Sequence, residues 1–457
     1  MTEWLGRPAT EIATAVRAGE VTARVVVAEH LARIRAINGE LGAFRVVREQ
    51  RALAEADVVD ARADRADLPL AGVPLAVKDN TAVAGEAARC GSAATPDEPA
   101  AADHEVVRRL RAAGAVVVGL SSMPELGLFP MDDSVYGIAR NPWRPERTPG
   151  GSSGGAAVAV AAGMVPVAQG NDGLGSIRIP AACCGLFGLE PGPGVLPPPF
   201  EQGNPWFGLA EHGPLATTVA DAALLLAVMA GRPEWAEVAV PERPLRVAVS
   251  TRPPVAGLPV DREYQAAARA AGEVLADAGH GVRAADPPYP LTLGTTCPGD
   301  LVRVRRRLHP ALDRRTLDRP ARRHARAGRL ARRLGLARPP TRQRWRNRLE
   351  PFFAHIDVLV TPALAQPPPA AVRWGNRGWL RNVVGASRYS PFAPPWNLAG
   401  WPAAAVPAGL HRTGVPLAVQ LVAPPGGERL LLAIARELEF HRPWPRTAPA
   451  YDLVPTG

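Results

Sequence analysis

The chain has 457 residues, 47% of them apolar and 21% charged, a balance that suits a globular protein with a large core and excludes a wholly disordered one. Its formal net charge of +10 is local: residues 303–348 hold 18 arginines and no lysine against Asp313 and Asp318, a net +16 that leaves −6 elsewhere. Such a stripe could meet an anionic surface, but Trp345 is the sole aromatic among the arginines, whereas single-strand binders interleave several. A solvated helical face is the expectation, and nucleic acid is not the expected partner. Four cysteines (Cys90, Cys183, Cys184 and Cys297) make no disulfide framework in a chain this long and read as buried thiols. No Cys-x-x-Cys or His-x-x-x-His spacing points to a metal. Residues 1–31 lack the basic start, apolar middle and cleavage site of a leader. The weakly polar run 154–168 is too short for the ~20 residues that span a bilayer. A soluble, cytoplasmic protein with no membrane partner is expected.

In chain order, residues 9–36 place Ile12, Val16, Val21, Val25, Val27, Leu31 and Ile34 at helical spacing, with Thr22 as an N-cap for the second half. Residues 72–77 form a short apolar run ending at Lys78-Asp79-Asn80, which predicts a buried strand with a polar end. A helix over 106–113 and a strand over 115–120 follow, the alternation of an α/β protein. Residues 152–155 open a helix through Ala162, and 165–169 predict a further strand. Helices over 218–230 and 261–278 and strands over 245–250 and 357–361 complete the readable pattern. Proline clusters at 253–259, 287–290 and 362–369 mark loops. The expectation is one α/β domain over 1–457 with a variable Pro/Arg-rich insertion near 285–350.

Residues 148–180 concentrate the chemistry. Thr-Pro-Gly-Gly-Ser-Ser-Gly-Gly (148–155) is a backbone almost without side chains; its glycines permit unusual geometry and let a substrate approach the main chain. A helix following it aims its N–H groups at whatever sits there. The run is not a P-loop, because the Lys-Ser/Thr that completes one is missing. A second bare segment, Gly173-Leu174-Gly175-Ser176, offers another hydroxyl and a row of amides that could bind an oxyanion. Asp172 and Arg178 flank it and could pair, either as a rigid brace or as an exposed ion pair of little worth. A serine needs a base, and neither segment has a nearby histidine. Lys78, at the end of an apolar strand, is placed where burial lowers a lysine pKa, and Ser-Lys chemistry is a known variant of the triad.

These residues resemble the amidase signature family. Gly72-Val73-Pro74-Leu75-Ala76-Val77-Lys78-Asp79-Asn80 resembles its lysine strand, 147–155 its first serine loop and 170–181 its nucleophile loop. Residues 30–34, 213–223, 395–400 and 419–422 extend the likeness over nearly the whole chain, with a thinner match over 230–350. The resemblance implies a large, mixed, mostly parallel twisted sheet covered by helices on both faces. It also implies roles: Ser176 as the nucleophile that forms an acyl-enzyme, Ser152 as the bridging serine after a cis peptide, and Lys78 as the general base. The backbone N–H groups of Gly173, Leu174, Gly175 and Ser176 would form the oxyanion hole, with Ser153, Asp172 and Arg178 in support. A small-molecule amide is the implied substrate, a homodimer a family-level expectation, and no metal or organic cofactor is implied.

Three departures from the family pattern stand out. The nucleophile loop reads Gly-Asn-Asp-Gly-Leu-Gly-Ser, with Asn171, Gly173 and Leu174 where the family usually has Thr, Thr and Gly. A left-handed backbone at Leu174 would cost roughly 1–2 kcal/mol, which Gly173 could relieve. Glu190 stands where the family has a lysine, and Leu120-Ser121-Ser122 where it has Lys-Thr-Asn. Two other readings therefore compete with a stand-alone amidase: a weakened or non-catalytic protein on the same scaffold, and the glutaminase-type subunit of a tRNA-dependent amidotransferase. The second is disfavoured because residues 390–393, Ser-Pro-Phe-Ala, lack the aspartate of that subunit. Trp143, Met123, Phe129, Met131, Trp206 and Trp396 are candidates for an apolar pocket, each more simply explained as core.

Overall fold

Short runs of β-branched and small apolar residues build the centre of this protein, and their burial on both faces makes them continuous rather than alternating in hydropathy. A computed structural model describes residues 3–199, 208–241, 243–290, 313, 315–333 and 341–452. In chain order the strands are β1 (Phe44–Val47), β2 (Pro74–Lys78), β3 (Val116–Ser121), β4 (Asp133–Ser134), β5 (Gly137–Ile138), β6 (Val167–Asp172), β7 (Phe187–Glu190), β8 (Glu211–Ala216), β9 (Arg246–Val249), β10 (Gly281–Ala284), β11 (Val358–Pro362), β12 (Ala403–Leu410) and β13 (Pro416–Val422). Eleven of them form one sheet in the order β1-β3-β2-β6-β8-β7-β12-β13-β11-β9-β10, and β4 and β5 pair separately. Every residue of β2, β3 and β6 is buried.

The sheet is mixed and flanked by helices, as expected, but the balance of directions is not. β2 is parallel to β3 and β6, and β9 to β10 and β11; the remaining six pairings are antiparallel. The sheet is therefore not mostly parallel. The reason lies between residues 167 and 216 and between 403 and 422. There, β8 runs antiparallel to both β6 and β7, and a short turn joins β12 to β13 as an antiparallel hairpin, where a parallel pair would need a long crossover.

Residues 9–36 form two helices rather than one. Gly19 ends Ala9–Ala18 at φ 76°, and the Thr22 hydroxyl accepts from the Val25 amide to start Ala23–Leu41. On that second helix Val26 is buried and Val25 exposed, one position off the expected stripe. The helix Gly154–Ala161 is Gly, Ala and Val throughout and buried at every residue, so it is a core helix whose small side chains let the sheet approach closely. Within the expected 285–350 insertion, helices Arg319–Arg333 and Thr341–Phe353 are described, while residues 291–312, 314 and 334–340, with Cys297, lie outside the described residues. Thr341–Phe353 turns Trp345, Leu349 and Phe353 inward. Its Arg342 and Arg346 donate to the carbonyls of Leu398 and Ala399, at 3.2 and 2.5 Å, at the end of helix Pro394–Ala399. These two arginines are therefore helix-end donors and not a solvated face.

Candidate active site

β2 and β6 are parallel neighbours, so their last residues, Lys78 and Asp172, emerge at the same edge of the sheet. Lys78 is fully buried. Its Nζ stands 2.8 Å from Ser152 Oγ, 2.8 Å from Asn171 Oδ1 and 3.2 Å from the Asn171 carbonyl. Burial pushes the Lys78 ammonium down from 10.5 to about 7, against the opposing pull of Asp172, Asp132 and Cys90. The Gln169 side chain accepts from the Lys78 amide at 3.1 Å and contacts His212 Nδ1 at 2.7 Å, which fixes the strand end from below.

The glycine loop before the core helix carries a cis peptide between Gly151 and Ser152. Neighbouring backbone closes around it. A Cβ at Gly127 would stand 3.1 Å from Ser152 Oγ, and one at Gly151 3.2 Å from Pro130. Ser153 ties the two serine segments together: its amide donates to the Ser176 carbonyl at 3.1 Å and its hydroxyl to the Asn171 carbonyl at 3.2 Å. Ser176 is partly exposed, and among the described residues its hydroxyl has no hydrogen-bond partner. Asp132, whose carboxylate accepts from the Gly155 amide at 2.8 Å, sits at the N-terminus of the core helix, and burial holds its carboxyl well above the usual range.

The Ser176 segment is held from behind by a buried charge network. Asp172 and Arg178 make a two-pronged pair at 3.0 and 3.1 Å, with side chains 0 and 1% exposed; the exposed-pair alternative is thereby excluded. Asp172 also accepts from the amides of Gly175 (2.5 Å), Ile177 (3.0 Å) and Arg178 (3.3 Å) and from Asn397 Nδ2 (2.8 Å). Burial works to raise its pKa, but Arg178, Asn397 and the amides outweigh that and hold the carboxyl at about 2. Arg178 reaches onward to Gln420 Oε1, the Ala393 carbonyl and Asn397 Oδ1 at 2.8, 2.9 and 2.5 Å.

Two expectations need correction. Gly175 donates its amide to Asp172, so it cannot serve an oxyanion; the amides of Gly173, Leu174 and Ser176 have no acceptor among the described residues. The strain expected at Leu174 is absent. The positive φ of 112° falls on Gly175, and among the described residues only Cys90 and Leu126 are left-handed without being glycine. Leu174 instead packs, partly buried, against the apolar cluster that contains Tyr289, Trp345 and Trp396. Glu190 is a member of the network: its Oε2 lies 2.7 Å from Arg178 Nη2 and its Oε1 accepts from Asn397 at 2.6 Å. Sequence reasoning gave no role to Asn397, Gln420, Gln169 or Asp132. Asn397 and Gln420 lie in the 395–400 and 419–422 runs of the family likeness, whereas Gln169 and Asp132 carry no signal beyond being polar.

Of the apolar candidates, Phe129 and Met131 line a cavity beside the Gly127 segment, together with Glu125, Leu128, Asp133 and Asp318. Met123 is buried against Gly127. Trp143 donates to the Cys184 carbonyl and Trp396 is buried among aromatics, so both belong to the core; Trp206 lies outside the described residues. Ser390 spends its hydroxyl on the Ala386 carbonyl.

A family model described as Amidase matches residues 25–298 and 302–432. AmiB2 of Mycobacterium tuberculosis (strain ATCC 25618 / H37Rv), an amidase by name, is 42% identical over 450 residues, covering 94% of this chain and 95% of that protein. The 6-aminohexanoate-cyclic-dimer hydrolase of Paenarthrobacter ureafaciens is 32% identical over 483 residues, covering 96% of each. A solved structure of 6-aminohexanoate cyclic dimer hydrolase matches with a TM-score of 0.87 at 30% identity, over 96% of this chain and 97% of that one.

Proposed function

We propose, from the premise that the chain belongs to the amidase signature family and is an amide-hydrolysing enzyme, that Ser176, Ser152 and Lys78 hydrolyse a small-molecule carboxamide through a serine acyl-enzyme. The observation that carries this reading is the geometry at Lys78 Nζ. A neutral amine has two N–H donors and one lone pair. The two oxygens of Asn171 take the donors, and the lone pair is left for the Ser152 proton at 2.8 Å. A lysine with a pKa near 7 carries that lone pair on a large fraction of molecules at neutral pH.

Ser176 Oγ attacks the amide carbon while its proton passes to Ser152 Oγ and the Ser152 proton to Lys78 Nζ. The carbonyl oxygen becomes an oxyanion that accepts from the free amides of Gly173, Leu174 and Ser176. Asp172 holds those amides in place by gripping the residues between and after them, so little reorganisation accompanies the charge. The C–N bond breaks as the Lys78 proton returns through Ser152 to the leaving amine. Water then attacks the acyl-enzyme by the same relay in reverse. No carboxylate stands in the 390–393 run, and Ser390 is turned to its own helix, which favours a stand-alone amidase over a glutaminase-type subunit.

The test is mass spectrometry with peptide mapping after exposure to a small fluorophosphonate. One adduct on Ser176 is expected, absent in Ser176→Ala at unchanged melting temperature and formed far more slowly in Lys78→Ala. An adduct on another serine, or none on folded protein, would overturn the assignment.

A further inference from the structure

Away from this site, the start of helix Arg262–Asp277 faces the turn that joins β12 to β13. His411, in that turn, is 2% exposed, and its Nε2 has no hydrogen-bond partner. That nitrogen points between two carboxylates. Asp261 Oδ1 lies 3.6 Å away and Glu263 Oε1 3.4 Å away, and the three ligand atoms fall within 4.8 Å of one another. A tetrahedral zinc ion with bonds of ~2.0–2.2 Å separates its ligand atoms by roughly 3.4 Å, which matches both nitrogen–oxygen distances. The other ring nitrogen, Nδ1, lies 2.8 Å from Thr413 Oγ1. Nδ1 also accepts from the Thr413 amide at 3.2 Å, so without a metal the ring proton sits on Nε2 between the carboxylates; zinc binding moves that proton to Nδ1, where Thr413 Oγ1 can take it, the outer-sphere arrangement of a metal-bound histidine.

We propose that Asp261, Glu263 and His411 bind a zinc ion, with water as the fourth ligand, and that the ion fastens the helix start to the β12–β13 hairpin. The ligand set of one imidazole and two carboxylates suits zinc better than magnesium or calcium, which prefer all-oxygen shells. Arg412 now balances the carboxylates. Its Nη1 is 2.7 Å from Glu263 Oε1 and its Nη2 3.8 Å from Asp261 Oδ2, on a side chain that is 70% exposed and can swing away. The Arg412 amide stays on Glu263 Oε2 at 2.8 Å and keeps that carboxylate in place. The site was not legible from spacing, because His411 lies about 150 residues from Asp261 and Glu263.

The chelator-treated full chain is titrated with zinc by calorimetry, and bound metal is counted after dialysis, with magnesium and calcium as contrasts. One zinc per chain is expected, with a rise in melting temperature. His411→Ala should lose it and Glu263→Gln should weaken it. Thr413→Val should cost at least about tenfold in affinity, as loss of an outer partner does, and Arg412→Ala should tighten binding by removing the competing cation. Should His411→Ala not fold, Glu263→Gln and Arg412→Ala still decide the matter by their opposite signs. Absence of stoichiometric zinc in the wild type, or equal binding by His411→Ala and wild type, overturns the proposal and leaves a histidine–carboxylate contact with the proton on Nε2.

Discussion

The pH dependence of acylation at Ser176 is where the lysine assignment is most exposed. Lowering Lys78 from 10.5 to about 7 corresponds, at about 1.36 kcal/mol per pKa unit, to roughly 5 kcal/mol of disfavour for the buried ammonium. About half of the molecules then carry a neutral base at pH 7, where an exposed lysine would offer on the order of one in 3,000. The assay is the fluorophosphonate labelling rate between pH 5 and 9. It should rise about tenfold per pH unit below 7 and level off above it. Asn171→Ala removes one acceptor from Nζ. Because a hydrogen bond supports the ammonium more than the amine, the inflection should move to lower pH, by roughly one unit or less. Stability supplies an independent readout. The unfolded chain binds more protons than the folded one between about pH 7 and 10.5, so this group makes stability rise with pH across that window. Lys78→Met should flatten that slope. A labelling rate that is flat from pH 5 to 8, or an inflection near 10, would refute the reasoning.

Gly175→Ala places a side chain at φ 112°, with its Cβ 2.6 Å from both Ala393 and Ile179; urea denaturation should show a loss of roughly 2–5 kcal/mol from strain and overpacking. Glu190→Lys sets an ammonium against buried Arg178 and should cost about 3–5 kcal/mol, read as a fall in melting temperature that Glu190→Gln largely avoids. Leu174→Gly should lose about 1–3 kcal/mol through packing and backbone entropy and gain no labelling rate; a faster variant would show that Leu174 obstructs the site.

What the sequence disclosed follows from how locally each feature is determined. The strand ending at Lys78, the Thr22 cap, whose hydroxyl accepts from the Val25 amide, and the helix opening at Gly154 are set by neighbours a few residues apart, and they fall within one or two residues of expectation. The two serine loops were legible because glycine and serine have few other reasons to cluster there. The strand directions were not, because pairing depends on which distant segment docks alongside. Leu174 misled because a gap in a glycine pattern was read as strain, whereas the backbone had moved the positive φ to Gly175. Glu190 looked like a lesion in isolation and acquires its meaning only beside Arg178 and Asn397. The arginines at 342 and 346 looked like surface charge and serve as helix-end donors.

The brace behind the nucleophile loop is also a statement about time. Arg178 and Asp172 take Asn397 and Gln420 as partners, 219 to 242 residues further along the chain. Until that distant stretch has been synthesised and has docked, two buried charges lack their neutral partners and the loop has no reason to hold its shape. Hydrolytic competence should therefore arrive late in folding, with the closing of β12 and β13 onto the sheet. A nascent or truncated chain already carrying Lys78, Ser152 and Ser176 would remain inert, so the molecule delays its own chemistry until it is whole.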